Sequence, residues 1–239
     1  IFVGSSIHKE QLRTAGFKAP IHVVSLPIHK QKTLAKLPNY DPGAQRKPFV
    51  VYSSRLDKEK NPFFMMEVAQ EFLKMHPNWE WHVTTSGKEF RSMLPGVINK
   101  LRALSIEEPR FKLLEGLTKE EYYTELATCS IQFNSALQDY VSWTVIEATA
   151  FGADIIYPKF RSFPEFIDED RMYKPFDVQS ALNAFADAML FAHRHNDIVD
   201  ISDLGRQMEG YIVANGINEE INVWHETEYC KHLLNKNKE

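Results

Sequence analysis

The chain has 239 residues, 44% of them apolar and 25% charged, a globular composition long enough to bury a sizeable core. Its 28 Lys and Arg stand against 32 Asp and Glu, and a net charge of −4 gives no global attraction to nucleic acid or anionic lipid. Two cysteines, Cys129 and Cys230, far apart and without a Cys-x-x-Cys pair, argue against a disulfide framework or a zinc site and favour a reducing, cytoplasmic setting. No run approaches the roughly 18 apolar residues of a membrane-spanning helix, and no secretory signal is recognisable.

Taken in chain order, Ile1 to Ser6 reads as a strand end, Lys9 to Gly16 as a helix with its stop, and 21–26 as a strand. Lys30 to Lys47, with Pro38, Pro42 and Gly43 among basic and polar residues, reads as a linker-like or mobile loop. Further strands are expected over 48–53, 80–85, 111–114, 130–134, 154–157 and 171–174. Helices are expected over 61–75, 89–104, 119–128, 143–151, 177–194, 199–214 and 219–235. The alternation predicts an α/β fold, a Rossmann-like parallel sheet with helices on both faces. The loop or linker over 29–47 separates residues 1–28 from a main domain over 48–239.

Two segments carry chemistry. Val50-Val51-Tyr52 reads as a buried strand, and the loop after it carries Arg55 and Lys60 before a helix that starts near Phe63. Such a loop, at the carboxyl end of a strand in an open parallel sheet, is where anions bind. Arg as a rigid fork and Lys as a mobile point charge both neutralise phosphate. The second segment places Asp139 and Glu147 eight positions apart, with Ser142-Trp143-Thr144 between them and a small-residue helix running to Gly152. With Ser142 as cap, the first N–H groups of that helix would face phosphates, Glu147 would lie roughly 7.5 Å along the axis at ribose distance, and Asp139 would meet a sugar. Taken singly, the same residues also read as solvated loop and helix charges.

Together these segments resemble the carboxyl-terminal, donor-binding domain of family-4 retaining glycosyltransferases, one half of the GT-B architecture. Ser54-Arg55-Leu56-Asp57-Lys58-Glu59-Lys60-Asn61 is similar to the family's Gly-Arg-Leu…Lys-Asn stretch, and Asp139 to Glu147-Ala148…Gly152 to its Glu-x7-Glu element. Glu115-Gly116-Leu117-Thr118, Asn134-Ser135 and Ser162-Phe163-Pro164-Glu165 match collinear family turns. The resemblance implies Arg55, Lys60, Asp139 and Glu147 as catalytic residues, and Ser54, Gly87, Gly116, Leu117, Ser142, Trp143 and Thr144 as donor-binding ones. It implies a nucleoside-diphosphate sugar as substrate, no cofactor or metal, an acceptor of unknown identity, and an amino-terminal acceptor-binding domain lying outside this chain. It also implies that 1–28 is the end of that amino-terminal domain and the crossover from it, that 48–239 is the nucleotide-sugar (donor) binding domain, and that the last helix, with Val223, Trp224, Tyr229 and Leu233, crosses back or packs on the core.

The chain departs from the family pattern in three places. Asp139 replaces a glutamate and is one methylene shorter; Tyr140-Val141-Ser142 stands where Gly-Phe-Gly is usual; and Ser54 replaces a glycine, while Thr84-Thr85-Ser86-Gly87 stands where a glycine-rich turn is common. These keep two alternatives open, a non-catalytic nucleotide-sugar module and a fold-related sugar-nucleotide epimerase. Asp168-Glu169-Asp170 matches the metal-binding Asp-x-Asp of the GT-A fold but reads as a solvated turn, and His193-x-His195 as surface histidines.

Overall fold

The computed structural model describes residues 1–23, 33–139 and 142–190. The expected helices over 199–214 and 219–235, the end of that over 177–194, and His193 and His195 lie outside the described residues.

Phe49-Val50-Val51-Tyr52 is buried at every position, the signature of a central parallel strand covered on both faces. It forms strand β3 (Lys47–Tyr52), at the middle of a six-stranded, all-parallel sheet. The other strands are β4 (Glu80–Thr84), β5 (Phe111–Leu114), β6 (Cys129–Phe133), β7 (Asp154–Pro158) and β8 (Met172–Tyr173), in the order β5-β4-β3-β6-β7-β8. In this doubly wound order the chain reverses direction between β3 and β6, and ligands bind outside the carboxyl ends of strands at such a switch point.

Side chains alternate between two cores, as the period of a strand requires. Val50, Tyr52, Trp81, Phe111 and Phe133 face one. It is covered by α2 (Pro62–Met75), α3 (Val97–Glu107) and α6 (Val178–Leu190). Phe49, Val51, Ile155 and Tyr157 face the other, covered by α4 (Lys119–Thr128) and α5 (Trp143–Ala150). Phe72 of α2 packs against Trp81 and Phe185 with ring centroids 5.9 and 4.6 Å away, so truncating it to Ala would cost about 3–5 kcal/mol. Local signals set the helix starts. Asn61, in the left-handed region at φ 48°, turns the chain into Pro62 at the first helical position, and Thr118 and Glu121 form a reciprocal capping box on α4.

Three expectations are corrected. The helix foreseen over 89–104 begins only at Val97, because Pro95-Gly96, with Gly96 at φ 79°, turns the chain there. Residues 89–96 form a loop instead, pinned by the Phe90 N–H on Glu115 at 2.8 Å and by the Ser92 hydroxyl on the Leu56 carbonyl. The helix foreseen from Lys9 starts at Ser6 as α1 (Ser6–Thr14), since Ser5 accepts the His8 N–H and caps it. With β1 (Phe2–Val3) and β2 (His22–Val23) it makes a small parallel β-α-β unit. The region read as a mobile loop is, over 33–46, packed in place. Leu34, Leu37 and Tyr40 cover the second core, and the Arg46 guanidinium donates to the carbonyls of Leu126, Cys129 and Phe151. A cation thereby closes the carboxyl ends of α4 and α5, where the helix dipoles are negative.

Candidate functional site

The loops after β3, β4 and β5 and the amino-terminal turns of α4 and α5 enclose a cleft of about 360 Å³. Its wall is rich in hydroxyls, among them Ser53, Ser54, Thr84, Thr85, Ser86 and Thr118, with Arg55, Lys119 and Tyr122 as the cationic and aromatic elements. Ser53 and Thr84 share a hydrogen bond of 2.8 Å across the strand ends. The Gly116 N–H donates to the Gly87 carbonyl at 2.7 Å and the Leu117 N–H to the Thr85 carbonyl at 3.1 Å, knitting the β4 and β5 loops into one floor. Gly116 has φ 72°, which favours glycine there.

Of the residues expected at the site, Ser54, Arg55, Leu117 and Thr144 line this cleft. Arg55 is highly exposed and held by Asp57 at 3.0 Å and Glu59 at 2.6 Å. Lys60 and Asp139 lie to one side and meet each other at 2.5 Å. The position of Lys60 is fixed through its carbonyl, which accepts from the Tyr52 hydroxyl at 3.1 Å and the Ser135 hydroxyl at 2.7 Å. Burial drives the Tyr52 phenol well above its ordinary pKa, so it stays a donor at neutral pH. The backbone of Asp139 is held as well, its carbonyl accepting from the Ser162 hydroxyl at 3.0 Å.

Ser142 begins α5, but its hydroxyl does not cap the helix. It pairs with the Thr144 hydroxyl at 2.7 Å, which in turn meets the buried Tyr157 hydroxyl at 2.9 Å. The Ser142 side chain therefore makes no capping bond to the first turn of α5. Trp143 is half exposed at that turn. Glu147 is buried rather than open to the cleft. Its carboxylate accepts from Lys119 Nζ at 2.6 Å and from the Tyr122 and Tyr123 hydroxyls at 3.1 Å each.

The sequence reading missed Lys119, Tyr122 and the hydroxyl run Thr84-Thr85-Ser86 as site residues. The run carried a usable signal, polar residues at the end of a buried strand, where an open sheet holds its ligands. Lys119 carried none, since on α4 it reads as one more charge on a solvated face. The Asp168-Glu169-Asp170 turn is occupied by cations, Glu169 by Lys159 and Asp170 by Arg171 at 3.3 Å. Among the described residues no group of three or more His, Cys, Asp or Glu has the arrangement to hold a metal ion, and no helix is long and apolar enough to cross a membrane.

No protein-family model and no curated protein sequence matches the chain. Solved structures do. Sucrose-phosphate synthase from Thermosynechococcus elongatus superposes with a TM-score of 0.66 at 16% identity, over 89% of this chain and 57% of that one. A point mutant of S. aureus TarM, in complex with fondaparinux, alpha-GlcNAc-glycerol and UDP, gives 0.61 at 16% identity, over 98% and 43%. The pneumococcal O-GlcNAc transferase GtfA, in complex with UDP and GlcNAc, gives 0.59 at 14% identity, over 98% and 44%. The chain therefore spans about half the length of the structures it matches. These neighbours are GT-B glycosyltransferases, and the six-stranded parallel sheet with helices on both faces has the fold of one Rossmann-like half of that architecture.

Proposed function

We propose that the chain is the donor-binding half of a retaining glycosyltransferase that moves a sugar from a nucleoside diphosphate, UDP foremost, to an acceptor hydroxyl. The observation that carries this reading is a cleft at the switch point of the sheet lined by Arg55, strand-end hydroxyls and Thr144 of the first turn of α5, with the Lys60–Asp139 pair to one side of it. UDP is favoured because TarM and GtfA, which share the fold, were solved with it.

In this reading the diphosphate lies against the first turn of α5, with Arg55 and Lys60 beside it. A glycosyl carbon turns oxocarbenium-like as its bond to the leaving group breaks, so charge develops on the departing diphosphate. Arg55, Lys60 and the N–H groups of that turn would stabilise it without a metal ion, the two cations exchanging their carboxylate partners for phosphate. Asp139, released from Lys60 when phosphate takes its place, orients the sugar. The acceptor and the rest of the cleft come from a second half, so the 239 residues alone are expected to show no transfer. The setting is taken as cytoplasmic on the cysteine usage.

One observation favours a second reading, a nucleotide-sugar-binding module without turnover: Glu147 already holds three protein donors. Calorimetry against UDP, GDP, ADP, CDP and TDP, with and without chelator, tests the first point. Chelator-independent binding of UDP is expected, and silence across the panel would overturn the donor site. Incubating the full-length protein with UDP-sugars and a broad acceptor set then separates the readings. Neither transfer nor donor hydrolysis, with UDP bound, would leave the module.

A further inference from the structure

Every arginine of the described residues except one donates to a carboxylate or a backbone carbonyl. The exception is Arg161, exposed in the turn after β7. It makes neither a hydrogen bond nor an ion pair among the described residues, and its guanidinium carbon lies 5.7 Å from the centroid of the exposed Phe160 ring. The acid nearest to it in sequence, Glu165, is committed elsewhere. Its carboxylate accepts the Ser6 N–H at 2.8 Å and the Ile7 N–H at 3.4 Å, at the start of α1. Arg161 also has φ 50°, in the left-handed region that side chains rarely adopt. The residues after it are pinned: the buried Ser162 hydroxyl donates to the Asp139 carbonyl at 3.0 Å, and the Phe163 ring packs on Tyr157 with centroids 5.1 Å apart. The turn thus holds a cation without a protein partner on strained backbone, a combination that persists only where the surroundings impose it and that clusters at ligand sites.

The sheet order indicates which ligand. The loops after β3, β4 and β5, which line the cleft, lie on one side of the β6 loop that carries Asp139, and the β7 turn lies on the other. Arg161 does not line the cleft, and β7 stands two strand spacings, about 10 Å, from β3. Asp139 therefore separates the cleft from the free guanidinium. On the reading given above, on which this rests, the cleft holds the nucleoside diphosphate and Asp139 orients the sugar to be moved. What meets that sugar from the β7 side is then the acceptor. We infer that the acceptor carries an acidic group, a phosphate or a carboxylate, and that Arg161 binds it. A guanidinium presents parallel N–H donors spaced for two oxygens of one oxyanion, so it favours an acidic acceptor over its neutral counterpart. The Ser162 bond fixes the turn that carries this cation against the backbone of Asp139.

Calorimetric titration of the full-length protein, saturated with UDP, tests this with glucose, glucose 6-phosphate and glucuronate, which share one pyranose ring and differ at a single carbon. At least one of the two acids is expected to bind about tenfold or more tighter than glucose, as one charge-assisted contact provides, and which of them does so tells phosphate from carboxylate. Arg161→Met, which leaves the backbone conformation as it is, should abolish that preference with UDP affinity and the melting temperature of the free protein unchanged. Arg161→Gly, which suits a positive φ, should lose the same preference, and Arg161→Lys should keep part of it. Equal binding of the three compounds, binding of neither acid, or a preference that survives in Arg161→Met would overturn the inference while leaving the nucleotide site in place. A loss of UDP affinity in Arg161→Met would put the cation on the donor diphosphate and overturn it likewise. Failure of the unmodified protein to bind UDP would overturn the nucleotide reading itself, and the inference with it.

Discussion

Lys60 and Asp139 form an ion pair of 2.5 Å that ties the loop after β3 to the loop after β6, across the point where the sheet reverses. Both side chains are largely buried, so each compensates a charge the other would leave stranded, and removing one partner costs more than at an exposed pair. The same contact occupies the cation and the acid to which the proposed reaction gives roles. A diphosphate arriving at Lys60 would free Asp139 for the sugar.

Asp139→Asn is therefore expected to leave UDP affinity unchanged or tighter, since it releases Lys60, while turnover of the UDP-sugar by the full-length protein falls at least about tenfold, about 1.4 kcal/mol in the barrier. Lys60→Ala is expected to weaken UDP about tenfold or more and to lower the melting temperature, because Asp139 is left unpaired. Calorimetry with UDP and initial rates with the sugar donor check both. A loss of UDP affinity in Asp139→Asn equal to that in Lys60→Ala would contradict the exchange of partners.

Arg55→Ala is expected to weaken UDP at least about tenfold at low ionic strength, with little change in stability, because Arg55 is itself highly exposed and its pairs with Asp57 and Glu59 are of the weak surface kind. The difference from the unmodified protein should shrink as salt is raised, since an exposed cation is screened. Titrations at two salt concentrations test it, and a salt-independent effect would argue against a direct phosphate contact.

Gly152→Ala should destabilise the fold. Gly152 has φ 75°, and an added Cβ would lie 2.7 Å from Arg46 Nη2, the group that closes the end of α5. Strain in the left-handed region alone costs about 1–3 kcal/mol, and displacement of the guanidinium adds to it. Urea unfolding should show a lower midpoint with unchanged slope. A change of less than about 0.5 kcal/mol, the scatter of ordinary surface substitutions, would show that the guanidinium yields at no cost.

Acid stability should depend on Glu80. Lys112, first, and His82 hold its carboxyl below the usual glutamate value of 4.5. A carboxyl with a depressed folded-state pKa contributes stability that is present above its unfolded value and lost as pH falls through the folded one. Glu80→Gln is thus expected to lower stability near neutral pH and to flatten the loss below about pH 4.5. Denaturant midpoints from about pH 7 down to about pH 3 measure both effects, and parallel curves for the two proteins would remove Glu80 as a source of the slope.

Cys129 is fully buried, and burial pushes its thiol up to about 12. The thiolate is the reactive form, so this cysteine should resist alkylation in the native protein and react once it is unfolded. Peptide-level mass spectrometry after iodoacetamide treatment distinguishes it from Cys230. Rapid native labelling of Cys129 would mean that the end of α4 opens readily.

Most of the sheet was legible before any tertiary structure. β5 falls over 111–114 and α4 over 119–128, as read, because a short apolar run and a Thr-x-x-Glu box are local signals. No helix forms from 89 because Pro95-Gly96, with Gly96 at φ 79°, turns the chain before Val97 despite the helical spacing around it. Ser142 was legible as a helix start but not as an uncapped one, since the competing partner of its hydroxyl, Thr144, is itself committed to Tyr157 on β7.

By itself the sequence determined the period-2 and period-3.6 patterns, the two cores they imply, and the loops that carry Arg55, Lys60, Asp139 and Glu147, because these depend on residues a few positions apart. Only the tertiary structure decided what those side chains do. Lys60 meets Asp139 across 79 positions, and Glu147 turns inward to Lys119 across 28, so that the lysine and not the acid lines the cleft. Hydrogen bonds of that kind depend on strand order and helix packing, which bring distant loops within about 3 Å without leaving a local pattern in the chain.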